Sequence, residues 1–297
     1  EAGLIVGNLD KALINEVIVN KFNRHFIQRD VLDAILSSDE YSPAEQQELR
    51  SRVLQFEPFD FASRADAVYE ESERLAFESN LATSNHYNGH QVLDFGLLLR
   101  GGIPGMLQLI SEKKALAVAD HAPEETLSFY DSLSRTFQGT ALFIQRHAEL
   151  AAVEREGLDS TSAAAIRLSK IETICRTIAA GRPTGFAEGL SLLWFFIGFS
   201  DYDSAGRFDQ YLYPLYLQSR NAGMTREEAS DLMIDFWRML DDNGAILNMT
   251  IGGNHLDGTS AVNDLTWLVL EVTRNLRLKG PNLRSEERRG GKVCRYG

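Results

Sequence analysis

Residues 245–283 decide the fold; their sequence is AILNMTIGGNHLDGTSAVNDLTWLVLEVTRNLRLKGPNL. Residues 245–251 form a short apolar and β-branched run that stops at Gly252-Gly253, as a strand stops at a turn. A polar loop follows, residues 261–274 have the pattern of a buried helix, and Pro281-Asn282-Leu283 begins a second strand. Strand, glycine loop, helix and strand form a βαβ unit, which predicts a parallel sheet with its loops at one end.

Helical patterns dominate the rest of the chain. Apolar residues at spacings of three and four predict helices over residues 10–36, 42–53, 64–81, 95–100, 106–118, 123–156, 162–180, 186–199, 207–219 and 225–240. Residues 186–199 are apolar nearly all round, so we expect a fully buried helix there. We also expect a turn at residues 101–105 and a kink or break at Pro214. The predicted fold is α/β and rich in helix.

Composition excludes several classes of protein. The 297 residues are 44% hydrophobic and 24% charged, with a net charge of −12, which argues against nucleic acid as a partner. The longest apolar run, residues 190–199, is shorter than the roughly 20 residues that cross a bilayer. The two cysteines, Cys175 and Cys294, form no disulfide framework and no metal-binding pair, so we expect no metal site and a reducing, cytoplasmic setting.

Polar side chains gather at two places. Residues 86–91 (HYNGHQ) place two histidines in a glycine-containing loop before an apolar helix, and histidine moves protons near neutral pH. Residues 201–207 (DYDSAGR) follow the most apolar helix and include two carboxylates, a phenol and a guanidinium. We expect this second cluster to line a cavity, with Arg207 paired to Asp203 or Asp209.

Simpler interpretations remain open for both clusters. The histidine loop is also consistent with a cap for the helix at 95–100, and Asp203 or Ser204 with an N-cap for the helix near Arg207. A hydrolase that uses Asp201 with Asp203 is a further alternative, although such pairs face each other across a substrate, about 5–10 Å apart. Gly252-Gly253 is expected to allow close backbone approach. His255 and Asp257 are weaker candidates for a cavity lining, and Cys175 is expected in the core.

Several segments together resemble one family. Residues 206–214 (GRFDQYLYP), 185–195 (GFAEGLSLLWF), 89–95 (GHQVLDF) and 248–253 (NMTIGG) are similar to stretches of glycyl radical enzymes of the pyruvate formate-lyase and glycerol dehydratase type, in the same order. The resemblance implies a ten-stranded β/α barrel, of which residues 1–283 form an N-terminal-side part. Residues 284–297 form a basic tail that departs from the family, in which Ser-Val-Arg usually follows Pro-Asn-Leu.

The resemblance also implies a radical reaction. In this family, a glycyl radical near the C-terminus passes to a cysteine on a central loop, and a bond between carbon and carbon, oxygen or nitrogen is broken in a small substrate. A separate activating enzyme, with S-adenosylmethionine and an iron–sulfur cluster, installs the radical, and the full-length enzyme is expected to be a homodimer. Both loops follow the Pro-Asn-Leu strand in the family. We therefore expect no catalytic residue in this chain and no activity from it alone.

Substrate-binding residues are carried over position by position. His90 occupies the histidine of the family's G-H motif, which contacts substrate in the dehydratases. Asp201 and Tyr202 occupy positions where the dehydratases often have a His-Ser pair, so a glycerol-type substrate is in doubt. Asp203, Arg207 and Asp209 are expected to support the cavity. The alternative is a non-catalytic helical binding or assembly domain that retains the scaffold.

Overall fold

The computed structural model describes residues 3–5, 29–56, 58, 67–82, 93–199, 204–242 and 247–285. In these ranges the helices are α1 (Arg29–Leu36), α2 (Pro43–Phe56), α3 (Glu71–Glu78), α4 (Phe95–Ala119), α5 (Glu124–Arg155), α6 (Ala163–Ala180), α7 (Phe186–Phe199), α8 (Phe208–Asn221), α9 (Arg226–Asp242) and α10 (Asp264–Leu276). The strands are β1 (Ser204–Arg207), β2 (Asn248–Ile251) and β3 (Asn282–Ser285). None of these helices combines the length and apolar character that a membrane span requires.

The chain divides into two compact units. The larger consists of residues 1–7, 92–196 and 202–297, and the smaller of residues 8–91 and 197–201. In the smaller unit, Leu32 and Ile35 of α1 pack against Leu49 and Val53 of α2, and all four side chains are buried. The described sheet, the 252–261 loop that follows β2 and the candidate site all lie in the larger unit.

The described sheet is parallel, in the order β1-β2-β3. β2, α10 and β3 form the βαβ unit that the sequence predicts, so this prediction is confirmed. β1 pairs with β2 through an irregularity, because Ser204 lies opposite Asn248 but Gly206, two residues on, lies opposite Met249. Ala205 is therefore the extra residue of a β-bulge. Three parallel strands agree with the α/β class, whereas the ten-stranded barrel stays a prediction for the whole protein.

The two faces of this sheet differ in chemistry. Met249 and Ile251 of β2 are 0% and 1% exposed, and α8 packs against their strand. Successive side chains of a strand point to opposite faces. Asn248 and Thr250, which alternate with the buried pair, are half-buried. The register assigns to their face only polar side chains, which we call the polar face: Ser204, Arg207, Asn248, Thr250, Asn282 and Arg284.

Helix α7 lies in the core of the larger unit, as its apolar sequence predicts. Phe186, Leu190 and Leu193 are fully buried. A Cβ atom on Gly189 would lie 2.7 Å from Leu215 Cδ1 of α8, so this glycine permits the two helices to pack closely. The ring of Phe195 packs edge-on against His147 of α5, with centroids 5.2 Å apart. These contacts surround α7 with other helices and explain why it has no polar face.

Helix α4 continues through the predicted turn at residues 101–105. Only Gly102 departs from helical geometry, with φ 63° and ψ −173°, so two helical segments meet there at a kink. A Cβ atom at this position would lie 2.4 Å from the carbonyl oxygen of Gly181. Helix α8 likewise runs continuously through Pro214, so a break there is wrong. Ile103 of α4 and Leu212 and Tyr216 of α8 are buried beside these positions, and this packing keeps the segments helical despite the local sequence signals.

Two further predictions need correction. Residues 67–70 are not helical, and α3 begins only at Glu71. Residues 204–207 form β1, which the sequence did not predict, so Ser204 is not the N-cap of α8; the cap position is Arg207, without a side-chain cap. β1 pairs with β2 at Ser204, Gly206 and Arg207, and this tertiary pairing outweighs the weak strand propensity of Ser-Ala-Gly-Arg.

Candidate functional site

A buried clamp at the carboxyl end of β2 is the main feature of the candidate site. Asp209, in the first turn of α8, is fully buried, and its Oδ2 accepts a hydrogen bond from the backbone N–H of Gly252 at 2.8 Å. The hydroxyl of Thr266 donates to the same oxygen. Arg207 Nη2 donates to the carbonyl oxygen of Gly252 at 2.6 Å. Both backbone polar groups of one glycine are therefore held by charged side chains.

The 206–214 segment, which contains Arg207 and Asp209, also holds the other end of the 252–261 loop. Gln210 Nε2 donates to the carbonyl oxygen of Ala261 at 2.8 Å, and the backbone N–H of Ala261 donates to Gly253 O at 2.8 Å. Asn263, the N-cap of α10, donates from Nδ2 to the backbone oxygen of Asp209 at 3.4 Å. Arg207, Asp209 and Gln210 thus bind both ends of the loop to the start of α8.

Two atoms of the clamp have no hydrogen-bond partner in the part of the chain that the structure describes. Arg207 Nε and Asp209 Oδ1 are both buried and unpaired. No ion pair joins these two described residues, so the Asp209 alternative for the partner of Arg207 is wrong, whereas Asp203, the other alternative, lies outside the described residues. Each side chain instead binds Gly252, because the backbone at the end of β2 lies within reach of both. Buried unpaired polar atoms are uncommon, and one explanation is a water molecule or ligand that completes the site.

Tyr211, two residues after Asp209 in α8, connects the clamp to β1. Its hydroxyl donates to the carbonyl oxygen of Ala205 at 2.8 Å, and its ring lies 5.8 Å from that of Phe95. Burial, together with the negative charge of Asp209, raises the pKa of Tyr211 well above its ordinary value. The phenol therefore remains a neutral hydrogen-bond donor at physiological pH and fixes the bulge of β1 to α8.

A cavity of about 250 Å³ lies between the start of α4, β1 and the first turns of α8. It is lined by Leu93, Asp94, Phe95, Gly96, Ala205, Gly206, Arg207, Gln210 and Tyr211. Asp94 caps α4 by accepting a hydrogen bond from Leu97 N at 2.8 Å, so its carboxylate is engaged at the helix end. Arg207, Gln210 and Tyr211 therefore contribute to the clamp and to the cavity wall.

The site residues that the sequence suggests fall into two groups. Arg207 and Asp209 are brought together by the clamp, whereas His90, Asp201, Tyr202 and Asp203 lie outside the described residues, as does His86. His255 and Asp257 are exposed in the described part of the chain, and their place in a cavity of the whole protein stays a prediction. Asp257 Oδ1 accepts hydrogen bonds from the backbone and hydroxyl of Thr259, which stabilises the tip of the loop. Sequence reasoning missed Gln210, which the motif at 206–214 already contained.

Neither a metal centre nor a reactive thiol is found in the described ranges. No group of three or more metal-binding side chains lies together in that part of the chain. Cys175 is 1% exposed within α6, and burial raises the pKa of its thiol to about 12. It is a core residue, as its sequence context predicts.

Sequence comparison relates the chain to enzymes of one family. Residues 1–286 match the family model described as pyruvate formate lyase-like. The chain is 28% identical over 236 residues to the (2S)-3-sulfopropanediol dehydratase of Klebsiella oxytoca. The aligned region covers 69% of this chain and 28% of that relative. It is 29% identical over 223 residues to the 4-hydroxyphenylacetate decarboxylase glycyl radical subunit of Clostridioides difficile (strain CD196), covering 66% and 24%. The chain thus spans about a quarter of these relatives.

Solved structures agree on the fold. The glycerol-bound form of the B12-independent glycerol dehydratase from Clostridium butyricum has a TM-score of 0.73 at 22% identity, covering 95% of this chain and 39% of that one. A structure that describes 1,2-propanediol dehydration in Roseburia inulinivorans has a TM-score of 0.72 at 20% identity, with the same coverage. The chain belongs to the pyruvate formate lyase-like family of glycyl radical enzymes.

Proposed function

We propose that this chain is the substrate-facing part of a glycyl radical lyase or dehydratase, which breaks a C–C, C–O or C–N bond in a small substrate. The polar face of the parallel sheet carries the proposal, because hydroxyl, amide and guanidinium groups cover this face, whereas Met249 and Ile251 of β2 are buried on the other. Small-molecule sites need a few polar groups on a rigid scaffold. Chemistry like that of formate C-acetyltransferase and chemistry like that of diol dehydratases both fit this description.

The clamp supports the proposal by its position. In open parallel sheets, ligands bind beyond the carboxyl ends of the strands. Arg207 and Asp209 bind Gly252 immediately after β2, at such an end. A loop held at both ends keeps its backbone in place without reorganisation when substrate binds, which favours a precise site. We assign Arg207 and Asp209 a supporting role in this wall.

His90, Asp201 and Tyr202 are proposed to contact substrate on the family resemblance alone, with Asp203 as a support. Asp201 would accept a hydrogen bond from a substrate hydroxyl or face an ammonium group. Tyr202 would donate from its phenol. The two curated relatives are named as a dehydratase and a decarboxylase, so both C–O and C–C cleavage remain candidates.

When present, the family's glycyl radical supplies the hydrogen-atom abstraction that starts the reaction. In this proposal, an activating enzyme with S-adenosylmethionine and an iron–sulfur cluster is the partner that installs it, in a cytoplasmic homodimer. Cys175 does not fit the radical-carrying thiol, since it is enclosed among the isoleucines of α6. The described residues fit a narrower role, which is to bind the substrate, orient it and exclude water.

The test is anaerobic activation of the whole protein by a radical S-adenosylmethionine activating enzyme from the same genome. We expect a glycyl radical signal in electron paramagnetic resonance and turnover of a small hydroxylated or carboxylated substrate. His90→Gln should lower kcat/KM by at least tenfold at an unchanged radical yield, because it removes only a substrate contact.

His86→Gln is the matched control, since this histidine is four residues away in the sequence. It should leave both the radical yield and kcat/KM near the unsubstituted values. Absence of any radical signal after activation would overturn the enzyme assignment and favour the binding or assembly domain. Equal effects of the two histidine substitutions would overturn only the role of His90.

A further inference from the structure

The polar face of the sheet carries positive charge in an acidic protein. The chain has 42 acidic and 30 basic residues, yet the six side chains of the polar face include two arginines and no carboxylate. Arg207, Thr250 and Arg284 lie opposite one another on β1, β2 and β3. Their side chains therefore form one row across the sheet, with the hydroxyl between the two guanidinium groups.

The spacing of this row suits a small ligand. Neighbouring strands lie about 4.8 Å apart, so the backbones that carry the two arginines are about 10 Å apart. Long, flexible arginine side chains on either side of Thr250 can approach one small group from both flanks. Asn248 and Asn282 lie two residues before Thr250 and Arg284 on the same face, and they add amide groups beside the row.

Among the described residues, both guanidinium groups have hydrogen-bond donors without an acceptor. Arg207 Nη2 binds Gly252, but its Nε is buried without a partner, a costly state unless an acceptor arrives. Arg284 is exposed and makes no hydrogen bond or ion pair with another described residue. Arginine presents several N–H donors in a fixed plane, which match the oxygens of carboxylate, sulfonate and phosphate groups.

We propose that the row formed by Arg207, Thr250 and Arg284 binds an oxyanion group of the substrate, and so selects anionic substrates over uncharged polyols. This inference rests on the proposed function, because it specifies the substrate class of the same site. A neutral diol would offer neither guanidinium group a counter-charge and would offer Arg207 Nε no charged acceptor. A carboxylate, sulfonate or phosphate supplies both.

The experiment follows the Arg207 Nε–H resonance by nuclear magnetic resonance during titration of the full chain. The probes are sodium acetate, sodium methanesulfonate, inorganic phosphate and glycerol, with sodium chloride holding the ionic strength constant because salt screens exposed charges. We expect at least one oxyanion to shift the resonance saturably and glycerol to leave it unchanged. The order of affinity among the three oxyanions distinguishes carboxylate, sulfonate and phosphate recognition.

Arg284→Gln is the decisive variant, because this exposed side chain has no described partner to lose. It should weaken the preferred oxyanion by about tenfold, as expected for loss of a charge-assisted hydrogen bond. Arg274→Gln, at an exposed position in the last turn of α10, is the matched control and should leave the affinity unchanged. Equal affinities of the two variants would overturn the inference.

Two other results would also contradict the oxyanion proposal, and they would leave the proposed function unaffected. One is a glycerol titration that shifts the resonance as strongly as the oxyanions do. The other is a shift that grows linearly with every anion and never saturates, which indicates charge screening only. Failure of radical formation in the whole protein, by contrast, would overturn the proposed enzyme and leave a saturable oxyanion site in place.

Discussion

Gly102 and Gly252 both adopt positive φ, 63° and 67°, but different neighbours impose the conformation. At Gly102 the cause is steric, because a Cβ atom would lie 2.4 Å from the backbone oxygen of Gly181. At Gly252 the nearest atom to such a Cβ is Val262 Cγ2 at 3.4 Å, which is nearly ordinary contact. There, the side chains of Arg207 and Asp209 hold the backbone. Gly102 is therefore required for the close packing of backbone segments, whereas Gly252 is held by hydrogen bonds to polar side chains.

The largest expected effect is at the packing glycine. Gly102→Ala combines a backbone conformation that almost only glycine adopts with a direct clash, so the free energy of unfolding should fall by about 3 kcal/mol. Urea denaturation measures this. Gly105→Ala in the same helix is the control, since a Cβ there meets nothing within 4 Å. It should leave stability unchanged or raise it by about 0.5–1 kcal/mol. Equal destabilisation by both would contradict the steric interpretation.

Next is the carboxylate that holds Gly252. In Asp209→Asn the amide oxygen can take the place of Oδ2, but both hydrogen bonds lose the charge of their acceptor, which should cost about 2 kcal/mol of unfolding free energy. Amide hydrogen exchange at Gly252 should accelerate more than exchange elsewhere in β2. Asp257→Asn, in the exposed tip of the same loop, should change neither quantity appreciably. Unaltered exchange at Gly252 in Asp209→Asn would show that the clamp does not hold the loop.

A smaller cost is expected at Gly252 itself. Gly252→Ala forces a positive φ on a residue with a Cβ but creates only a marginal contact, so we expect about 1 kcal/mol of destabilisation. Gly258→Ala, at φ 84° with open space around it, measures the cost of the backbone conformation alone. The two values should agree within experimental error. If Gly252→Ala were as costly as Gly102→Ala, the contrast between the two glycines would fail.

The smallest effect concerns Tyr211 and depends on pH. Because its pKa is raised in the folded state, the neutral phenol contributes stability that is fully present below pH 10. That contribution is lost as the pH rises from about 10 through the folded pKa, since the unfolded chain ionises first. Tyr211→Phe should cost about 1 kcal/mol at neutral pH and flatten the alkaline decline measured by urea denaturation. Tyr130→Phe is the control; a decline as steep in Tyr211→Phe as in this control would contradict the prediction.

Strong local patterns in the sequence predicted the elements that depend on them. The βαβ unit at 245–283 and the buried helix α7 were predicted because apolar periodicity and glycine turns act locally. β1 was missed because Ser-Ala-Gly-Arg has no strand pattern and becomes a strand only beside β2. Helix α8 continues through the exposed Pro214, and its neighbours Leu212 and Tyr216 are buried, so tertiary packing outweighs the local signal there as well.

The clamp shows a different limit of sequence reasoning. The sequence indicates Arg207 and Asp209 as site residues, and their opposite charges suggest that they pair with each other. Arg207 binds the C=O of Gly252, 45 residues away, and Asp209 binds its N–H, 43 residues away; the spacing of side chains in the sequence does not reveal such backbone partners. Gln210 binds the carbonyl of Ala261, which is equally invisible to the sequence. The roles of His90, Asp201 and Tyr202 stay predictions.

The bulge at Ala205 determines which side of the sheet receives a charge. Paired regularly from Ser204 onward, the strand would bring Arg207 opposite Ile251, and its guanidinium would point into the buried apolar layer. With one extra residue, Arg207 lies opposite Thr250 instead. The number of residues in β1 before Arg207 therefore determines which face of the sheet carries its charge. Inserting or removing one residue there would move the guanidinium group to the opposite face. A change of length at this position would affect ligand recognition more than a change of side chain.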